Sequence, residues 1–424
     1  MSLFMIGLFG LLALAGIPVA VSLGAAAMLT LLVYDQPILM VAQFMYTSVD
    51  SFLLVAIPLF ILAGHVMEQG RLSEQIFGAA EALVGRLRGG LGHVNIVGSF
   101  VFGGISGSAV ADVASLGPLE IRAMTERGYP REYSAALTMI TATLASIVPP
   151  SILMIIVAAA AGESIGAALA GGLGPALLLG GGLLLLNGSV SRRRGFGAPV
   201  RVPFAEAWRT VLRSLPATGA PIIILGGMFS GVVTPTEAAG LAVLYTVVVA
   251  RLFYRSMPLA ALPALCARAG RMAGTVLLIM MTAGVATYVF TVDGLPARMT
   301  SALLALTTDP DMVMLLTGVA LVVIGMFMDI IAASLILVPI LLPAMKAVGV
   351  DPLHFVVYLV CVLSMGLATP PVGSCLFATA QVSKVPIERL AIAALPMYAV
   401  NLVVLVAMAL FPAIILWPAR LLTG

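Results

Sequence analysis

The chain has very few charged side chains. Asp, Glu, Lys and Arg make up 9% of its 424 residues, against about a quarter in soluble domains. Hydrophobic residues make up 61%, and the mean hydropathy is +1.16. Apolar stretches of about 20 residues, each able to cross roughly 30 Å of hydrocarbon, recur from end to end. These features exclude a soluble protein and predict a single all-α, polytopic membrane domain.

The sequence also lacks the patterns that catalysis and metal binding usually require. Its three cysteines and three histidines are isolated from one another. No motif of a phosphate-binding loop, a zinc protease or a serine hydrolase occurs. We therefore expect neither an enzyme nor a transition-metal protein, and we expect no nucleic-acid partner. The N-terminus has neither a charged segment nor a signal cleavage site, so it is expected to begin the first span.

One stretch, 102–118 (FGGISGSAVADVASLGP), is rich in glycine and serine around Asp112. Glycine weakens a helix by about 1 kcal/mol relative to alanine, and an unwound backbone in lipid needs partners in protein, water or ions. Close helix packing through small residues is the alternative interpretation. It does not account for Asp112, because a carboxylate at this depth is costly and usually functional. The stretch therefore predicts part of a binding site.

The chain divides into two halves with the same order of segments. The first repeat covers 1–190, with a hairpin at 91–120 and a helix at 132–161 that is broken at Pro-Pro. The second repeat covers 216–424, with a hairpin at 311–345 and a broken helix at 354–381. A cytoplasmic linker with an amphipathic arm, 191–215, joins them. Gly/Pro interruptions at matching places in two halves indicate the binding site of a transporter.

The distribution of lysine and arginine predicts the topology. If both hairpins are re-entrant, each repeat crosses the membrane five times. All but three of the 21 lysines and arginines then fall on one side, the predicted cytoplasmic side, and the exceptions are Arg298, Lys346 and Arg420. An odd number of crossings makes the repeats inverted. The first hairpin then enters from the cytoplasm and the second from outside, and both termini lie outside.

Hairpin tips and helix breaks that meet within the membrane would offer two kinds of ligand. Unwound carbonyls and helix C-termini suit a small hard cation, whereas helix N-termini suit carboxylates. The side chains that would add hydroxyl groups or charge are Ser106, Ser108, Asp112, Asp329 and Thr369. Sodium or protons fit these ligands better than a transition metal does. Glu237, which follows Thr-Pro-Thr, is interpreted as a helix cap in preference to a transport residue.

In this order the motifs resemble the large membrane subunit of tripartite ATP-independent periplasmic (TRAP) transporters, within a wider ion-transporter fold group. The motifs that carry the resemblance are 57–64 (IPLFILAG), 90–95 (GLGHVN), 104–112 (GISGSAVAD), 149–151 (PPS), 234–239 (TPTEAA), 325–329 (GMFMD) and 366–373 (GLATPPVG). They extend over nearly the whole chain. One departure is that many members have Gly-Pro before the first Pro-Pro pair, where this chain has Ala145 and Ser146.

The resemblance implies a sodium-coupled importer with an elevator mechanism. One sodium ion would lie among Gly103, Ser106, Ser108, Pro149, Pro150 and Ser151. A second would lie among Gly325, Asp329, Ala368, Thr369 and Pro370. The substrate, an organic acid such as a C4-dicarboxylate or a sialic acid, would lie between them near Ser108, Asp112 and Asp329.

The resemblance also implies partners and a location. A soluble periplasmic protein would deliver the substrate, and a small four-helix membrane subunit, expected as a separate polypeptide, would brace the scaffold within the membrane lipid. The expected location is the bacterial inner membrane, with both termini in the periplasm. Two alternatives remain open from the residues alone: a stand-alone sodium/dicarboxylate carrier, and a channel-like membrane component.

Overall fold

The structure, a computed structural model, describes residues 1–87, 89–197 and 203–423, without the side chains of residues 73, 104–106 and 204. The side chain of Ser106, a predicted sodium ligand, therefore lies outside the described part. No strand occurs in these ranges, which agrees with the predicted all-α class. Within the same ranges, eight helical segments are long and apolar enough to cross a membrane.

The α-helices follow one another closely along the chain. In order they are α1 (Ser2–Leu14), α2 (Val19–Val33), α3 (Leu39–Thr47), α4 (Ala56–Gln69), α5 (Leu72–Val84), α6 (Gly90–Ser106), α7 (Ala109–Ser115), α8 (Gly117–Glu126), α9 (Arg131–Ala142), α10 (Ile152–Ala161), α11 (Ile165–Arg194), α12 (Phe204–Phe229), α13 (Pro235–Val248), α14 (Leu262–Val292), α15 (Leu295–Leu306), α16 (Pro310–Phe327), α17 (Ile330–Ala347), α18 (Pro352–Gly366), α19 (Ser374–Ser383), α20 (Ile387–Leu410) and α21 (Ala413–Thr423).

Capping residues set several of these boundaries. Helix α13 begins with a capping box, in which the Thr234 hydroxyl accepts a hydrogen bond from the Glu237 N–H at 3.3 Å. The Glu237 carboxylate in turn accepts one from the Thr234 N–H at 2.8 Å. This reciprocal pair satisfies two amide groups that the first turn of a helix leaves unbonded. The interpretation of Glu237 as a cap is confirmed.

The helices pack in two groups, and each group takes members from both halves of the chain. The frame consists of α1–α5 and α12–α15, where α14 packs on α2, α3 and α4, and α12 packs on α5. The hairpin group consists of α6–α11 and α16–α21, where α11 packs on α21, α18 on α16, and α20 on α9. Contacts of α6 with α5 and of α17 with α14 and α15 join the two groups.

Both predicted hairpins and both predicted broken helices belong to the hairpin group. The first hairpin consists of α6, α7 and α8, and the second of α16 and α17. The first broken helix consists of α9 and α10, and the second of α18 and α19. Helix α12 continues across residue 215, where the sequence predicts the end of the linker. The division of the chain into two inverted repeats stays a prediction.

Candidate functional site

The first hairpin turns at Gly107 and Ser108. Gly107 follows α6 in the left-handed conformation with φ +60°, which glycine adopts without steric cost. Ser108 then caps α7, since its Oγ accepts a hydrogen bond from the Ala111 N–H at 3.4 Å. A Cβ at position 107 would lie 3.0 Å from the Ile152 nitrogen. The turn therefore lies directly against the start of α10.

The break between α9 and α10 is closed by the side chain of Ser151. The Ser151 hydroxyl donates to the Ser146 carbonyl at 2.7 Å and accepts from the Met154 N–H at 3.2 Å. The Pro149–Pro150 peptide bond within the break is cis. The two prolines remove the N–H donors that the Ala145 and Ser146 carbonyls would meet in a continuous helix, and the Ser151 hydroxyl supplies a donor to Ser146 in their place.

Gly103 of α6 packs on the short 3-10 turn Thr143–Ser146 that precedes this break. A Cβ at position 103 would lie 2.6 Å from the Ala145 Cα, so only glycine permits this approach. The first hairpin tip and the first break therefore meet, as the predicted sodium site requires. Of its predicted members, only Ser106 has a side chain outside the described part.

The second hairpin turns at Asp329, which caps α17. Its Oδ1 accepts hydrogen bonds from the Ile331 and Ala332 N–H groups at 3.0 and 3.3 Å. The carboxylate is exposed to the space between the helices. It therefore complements the positive end of the α17 dipole and still has free oxygen lone pairs.

The second break is held against the second hairpin by backbone contacts. The Gly373 N–H donates to the Met326 carbonyl at 2.8 Å. A Cβ at position 366 would lie 2.8 Å from the Gly325 Cα. Helices α16 and α18 therefore cross where Gly325 of α16 faces Gly366 of α18, close to the end of each helix.

Oxygen atoms of the second break take part in hydrogen bonds but keep lone pairs for a further ligand. The Ala368 carbonyl accepts from the Tyr398 hydroxyl at 2.7 Å, and the Thr369 hydroxyl donates to the Met365 carbonyl at 2.8 Å. The Pro370–Pro371 bond is cis. A carbonyl or hydroxyl oxygen has two lone pairs, so both Ala368 and Thr369 can still ligate a cation.

A fully buried hydrogen bond joins the two broken helices next to their breaks. The Ser364 hydroxyl on α18 donates to the Thr143 carbonyl at 2.9 Å, and both residues are fully buried. The two breaks come from different halves of the chain, separated by more than two hundred residues, and this bond fixes them side by side.

A cavity of about 340 Å³ lies where the hairpin tips and the breaks converge. Its wall includes Ser108 from the first tip, Asp329 from the second, and Leu367 from the second break. Helices α4 and α14 of the frame close it with Ile61 and Met272. Both groups of helices therefore contribute to this central cavity.

Asp112 does not line the central cavity among the described residues. Its side chain is 2% exposed, and the Ser99 hydroxyl and the Cys375 thiol lie beside it. The acid faces α6 and α19 instead of the cavity. The structure thus brings Ser108 and Asp329 to one cavity and places Asp112 behind the first tip.

Two cavity hydroxyls were absent from the sites predicted from the sequence. Ser146 and Ser374 both line the central cavity. Ser374 begins α19 directly after Gly373, so its place next to the second Pro-Pro break is a signal that could have identified it. Ser146 could have been identified in the same way, because it comes just before the first break.

The comparisons with known proteins identify the family of the chain. A family model described as "Tripartite ATP-independent periplasmic transporter, DctM component" matches residues 5–414. The chain belongs to this family. It is a multi-pass membrane protein of the TRAP type, and the family predicted from the sequence is confirmed.

Several curated TRAP permeases are similar over most of their length. The chain is 34% identical to the sialic acid TRAP transporter large permease SiaM of Vibrio cholerae over 98% of each chain. It is 35% identical to the C4-dicarboxylate TRAP transporter large permease DctM of Pseudomonas aeruginosa, covering 93% of this chain and 92% of that protein. It is 37% identical to the isethionate TRAP permease DctMQ of Oleidesulfovibrio alaskensis over 96% of this chain, which spans 65% of that longer protein.

A solved structure shows the same fold. The YdaH transporter of Alcanivorax borkumensis superposes with a TM-score of 0.65, at 15% identity, over 89% of this chain and 88% of that one. The TRAP relatives are named as transporter permeases, and the prediction that the chain is not an enzyme is confirmed on that ground.

Proposed function

We propose that the chain is the translocating subunit of a sodium-coupled importer for a small organic acid, such as a C4-dicarboxylate or a sialic-acid-like molecule. The observation that carries the proposal is the central cavity, which receives both hairpin tips and both helix breaks. Such discontinuous helices form the substrate and ion sites of secondary transporters. Similar permeases are named for sialic acid and for C4-dicarboxylates.

Two sodium ions would lie on either side of the substrate. The first would bind at Gly103, Ser106, Ser108 and the first break, and the second at Gly325, Asp329 and residues 368–370. Hard cations prefer the carbonyl, hydroxyl and carboxylate oxygens that these positions offer. A cation that crosses a potential of 100 mV gains about 2.3 kcal/mol, so a few coupled ions suffice to concentrate a solute.

Substrate and sodium would be coupled through Asp329. Its carboxylate lines the central cavity, and a bare carboxylate repels an anionic substrate. A sodium ion beside Asp329 would cancel this repulsion, and the acid would then bind near Ser108. A direct contact between Asp112 and the substrate finds no support in this geometry.

The hairpin group would move against the frame in an elevator mechanism. Support comes from the packing, since each group is built from both halves of the chain and the cavity lies between them. A small membrane subunit would brace the frame, and a periplasmic protein would deliver the acid. The protein would lie in the bacterial inner membrane. Its basic side would face the cytoplasm, and both termini would lie in the periplasm.

Reconstitution in proteoliposomes tests the function. The large and small subunits are inserted together, and uptake of labelled succinate or N-acetylneuraminate is measured with and without a sodium gradient and with and without the cognate binding protein. We expect uptake only when both are present. Uptake without the binding protein would indicate the stand-alone carrier, and ion current without saturable uptake would indicate the channel-like component. Full uptake without sodium would refute the coupling.

A further inference from the structure

A second, larger cavity adjoins the central one. Its volume is about 550 Å³, and Ile61, Ser108, Ile152 and Met272 belong to the walls of both cavities. The two cavities therefore lie side by side around the tip of the first hairpin. We call the larger one the vestibule.

Helix α14 supplies the positive charge of the vestibule. Arg268, Arg271 and Thr275 line it together with Met272, at spacings of three or four residues that place them on one face of the helix. Both arginines are exposed to the cavity. The opposite wall is formed by the first hairpin, which contributes mainly small and apolar side chains such as Ala111 and Ala114.

The two arginines differ in their partners. Arg268 lies within electrostatic range of Glu68 on α4, whose carboxylate is 3.8 Å from the His65 ring nitrogen Nδ1. In the described ranges no carboxylate forms an ion pair with Arg271. By contrast, Arg122 on the same side of the molecule forms an ion pair with Glu126 in its own helix at 2.8 Å.

A guanidinium without a carboxylate partner, inside a cavity, favours an anionic ligand. Its planar fork matches a carboxylate in bidentate geometry. Low-dielectric cavity walls focus the field of like charges and raise the local concentration of an oppositely charged solute.

We propose that Arg271, assisted by Arg268, forms a second anion-binding site that takes the carboxylate of the organic acid between the central cavity and the basic side. This site rests on the proposed function for the identity of its ligand. Glu68 competes with the acid for Arg268, which keeps binding weak and lets the acid leave. The vestibule is thus a release site, distinct from the central cavity.

Charge-selective labelling of a cysteine tests the site without any transport. Thr275→Cys is made in a Cys266→Ser background, because Cys266 is exposed whereas Cys361 and Cys375 are buried. The complex of large and small subunits is then labelled with an anionic sulfonatoethyl or a cationic trimethylammonium-ethyl methanethiosulfonate. We expect the anionic reagent to react faster, and Arg271→Gln to lower the anion-to-cation ratio by roughly tenfold.

Matched variants separate this site from a general effect of charge. Arg271→Lys should keep most of the ratio, while Arg209→Gln, on α12 and away from the vestibule, should leave it unchanged. Succinate or N-acetylneuraminate should slow anionic labelling in the parent and not in Arg271→Gln. An unchanged ratio in Arg271→Gln, or no protection by either acid, would overturn the proposal.

Uptake measurements then separate the failure of this site from failure of the proposed function. At saturating sodium and binding protein, we expect Arg271→Gln to lower the maximal uptake rate several-fold. The concentration of binding protein that gives half-maximal uptake should change little. Equal maximal rates would refute a release site. Loss of sodium dependence in the parent would refute the proposed function, whereas the labelling ratio would still decide whether an anion site exists.

Discussion

At the scale of single residues, the crossing of α16 and α18 depends on two glycines. A Cβ at position 366 would lie 2.8 Å from the Gly325 Cα, within backbone that cannot yield without moving a helix. We expect Gly366→Ala to cost about 1–3 kcal/mol of stability and to abolish uptake, because it separates the second hairpin from its break. Gly270→Ala is the matched control, since nothing lies within 4 Å of a Cβ there. The midpoints of thermal unfolding in detergent measure the difference between the two variants. Equal midpoints would show that the close contact at Gly366 does not limit stability.

Asp112 is the residue whose role changes most between sequence and structure. Its Oδ1 is buried without a hydrogen-bond partner in the described part of the chain, and it lies among α6, α7 and α19. We expect Asp112→Ala to abolish uptake while the subunits still insert and assemble, because a costly buried carboxylate is kept for function. Asp50→Ala, at an exposed position, should retain uptake. Normal uptake with ordinary sodium dependence in Asp112→Ala would show that the stretch 102–118 has been misinterpreted.

The orientation of Asp112 illustrates what a sequence does not contain. The stretch around it predicts an interruption in the membrane, and the turn at Gly107 is where glycine allows φ +60°. The direction of the carboxylate depends on how α7 packs against α6 and α19, and α19 comes from a much later part of the chain. A local pattern could therefore predict the turn but not the side to which the acid points.

At the scale of helices, the hydrogen bond from Ser364 to the Thr143 carbonyl fixes the two breaks together. We expect Ser364→Ala to destabilise the protein by about 0.5–1.5 kcal/mol, because it removes a buried hydrogen bond between two packed helices. Ser189→Ala is the control, since that exposed hydroxyl bonds only to Leu185 in its own helix. Denaturant or thermal unfolding of both variants measures the difference. A Ser364→Ala variant as stable as Ser189→Ala would show that the breaks are held by other contacts.

Hydrophobic runs and Gly/Pro breaks predict most helix positions but not how far each helix continues. The sequence places an amphipathic arm before residue 216, yet α12 runs through Pro216. The Tyr254 hydroxyl donates to the Arg213 carbonyl at 2.7 Å, and the Tyr245 hydroxyl donates to the Pro216 carbonyl at 3.0 Å. These tyrosines belong to a later part of the chain, and such tertiary support for a proline-containing helix has no local signature.

At the scale of the whole molecule, the repeated order of segments explains why the candidate site could be predicted in outline. Matching breaks in two halves indicate that two distant segments meet, and the bond between Ser364 and Thr143 joins them in the structure. The frame's contribution could not be predicted in the same way. Ile61 and Met272 reach the central cavity from helices whose apolar residues look like ordinary membrane-spanning sequence.

The proposed elevator mechanism predicts how cross-links between the two groups of helices affect uptake. Ala111 of the hairpin group and Thr275 of the frame line opposite walls of the vestibule. With Cys266 replaced by serine, cysteines at these two positions should be joined by a flexible bismaleimide, and uptake should then stop because the hairpin group can no longer move against the frame. Each single cysteine treated with the same reagent should keep more uptake than the joined pair.

A pair within the hairpin group provides the control for that cross-link. A Cβ at position 166 on α11 would lie 3.7 Å from the Thr423 Cγ2 on α21, so cysteines at 166 and 423 should form a disulfide. Because both helices belong to the hairpin group, this bond should leave uptake intact. Uptake that survives the link between 111 and 275, or that fails equally with the link between 166 and 423, would contradict movement of one group against the other. If transport instead depends on movement within the hairpin group, the link between 166 and 423 should stop uptake and the link between 111 and 275 should not.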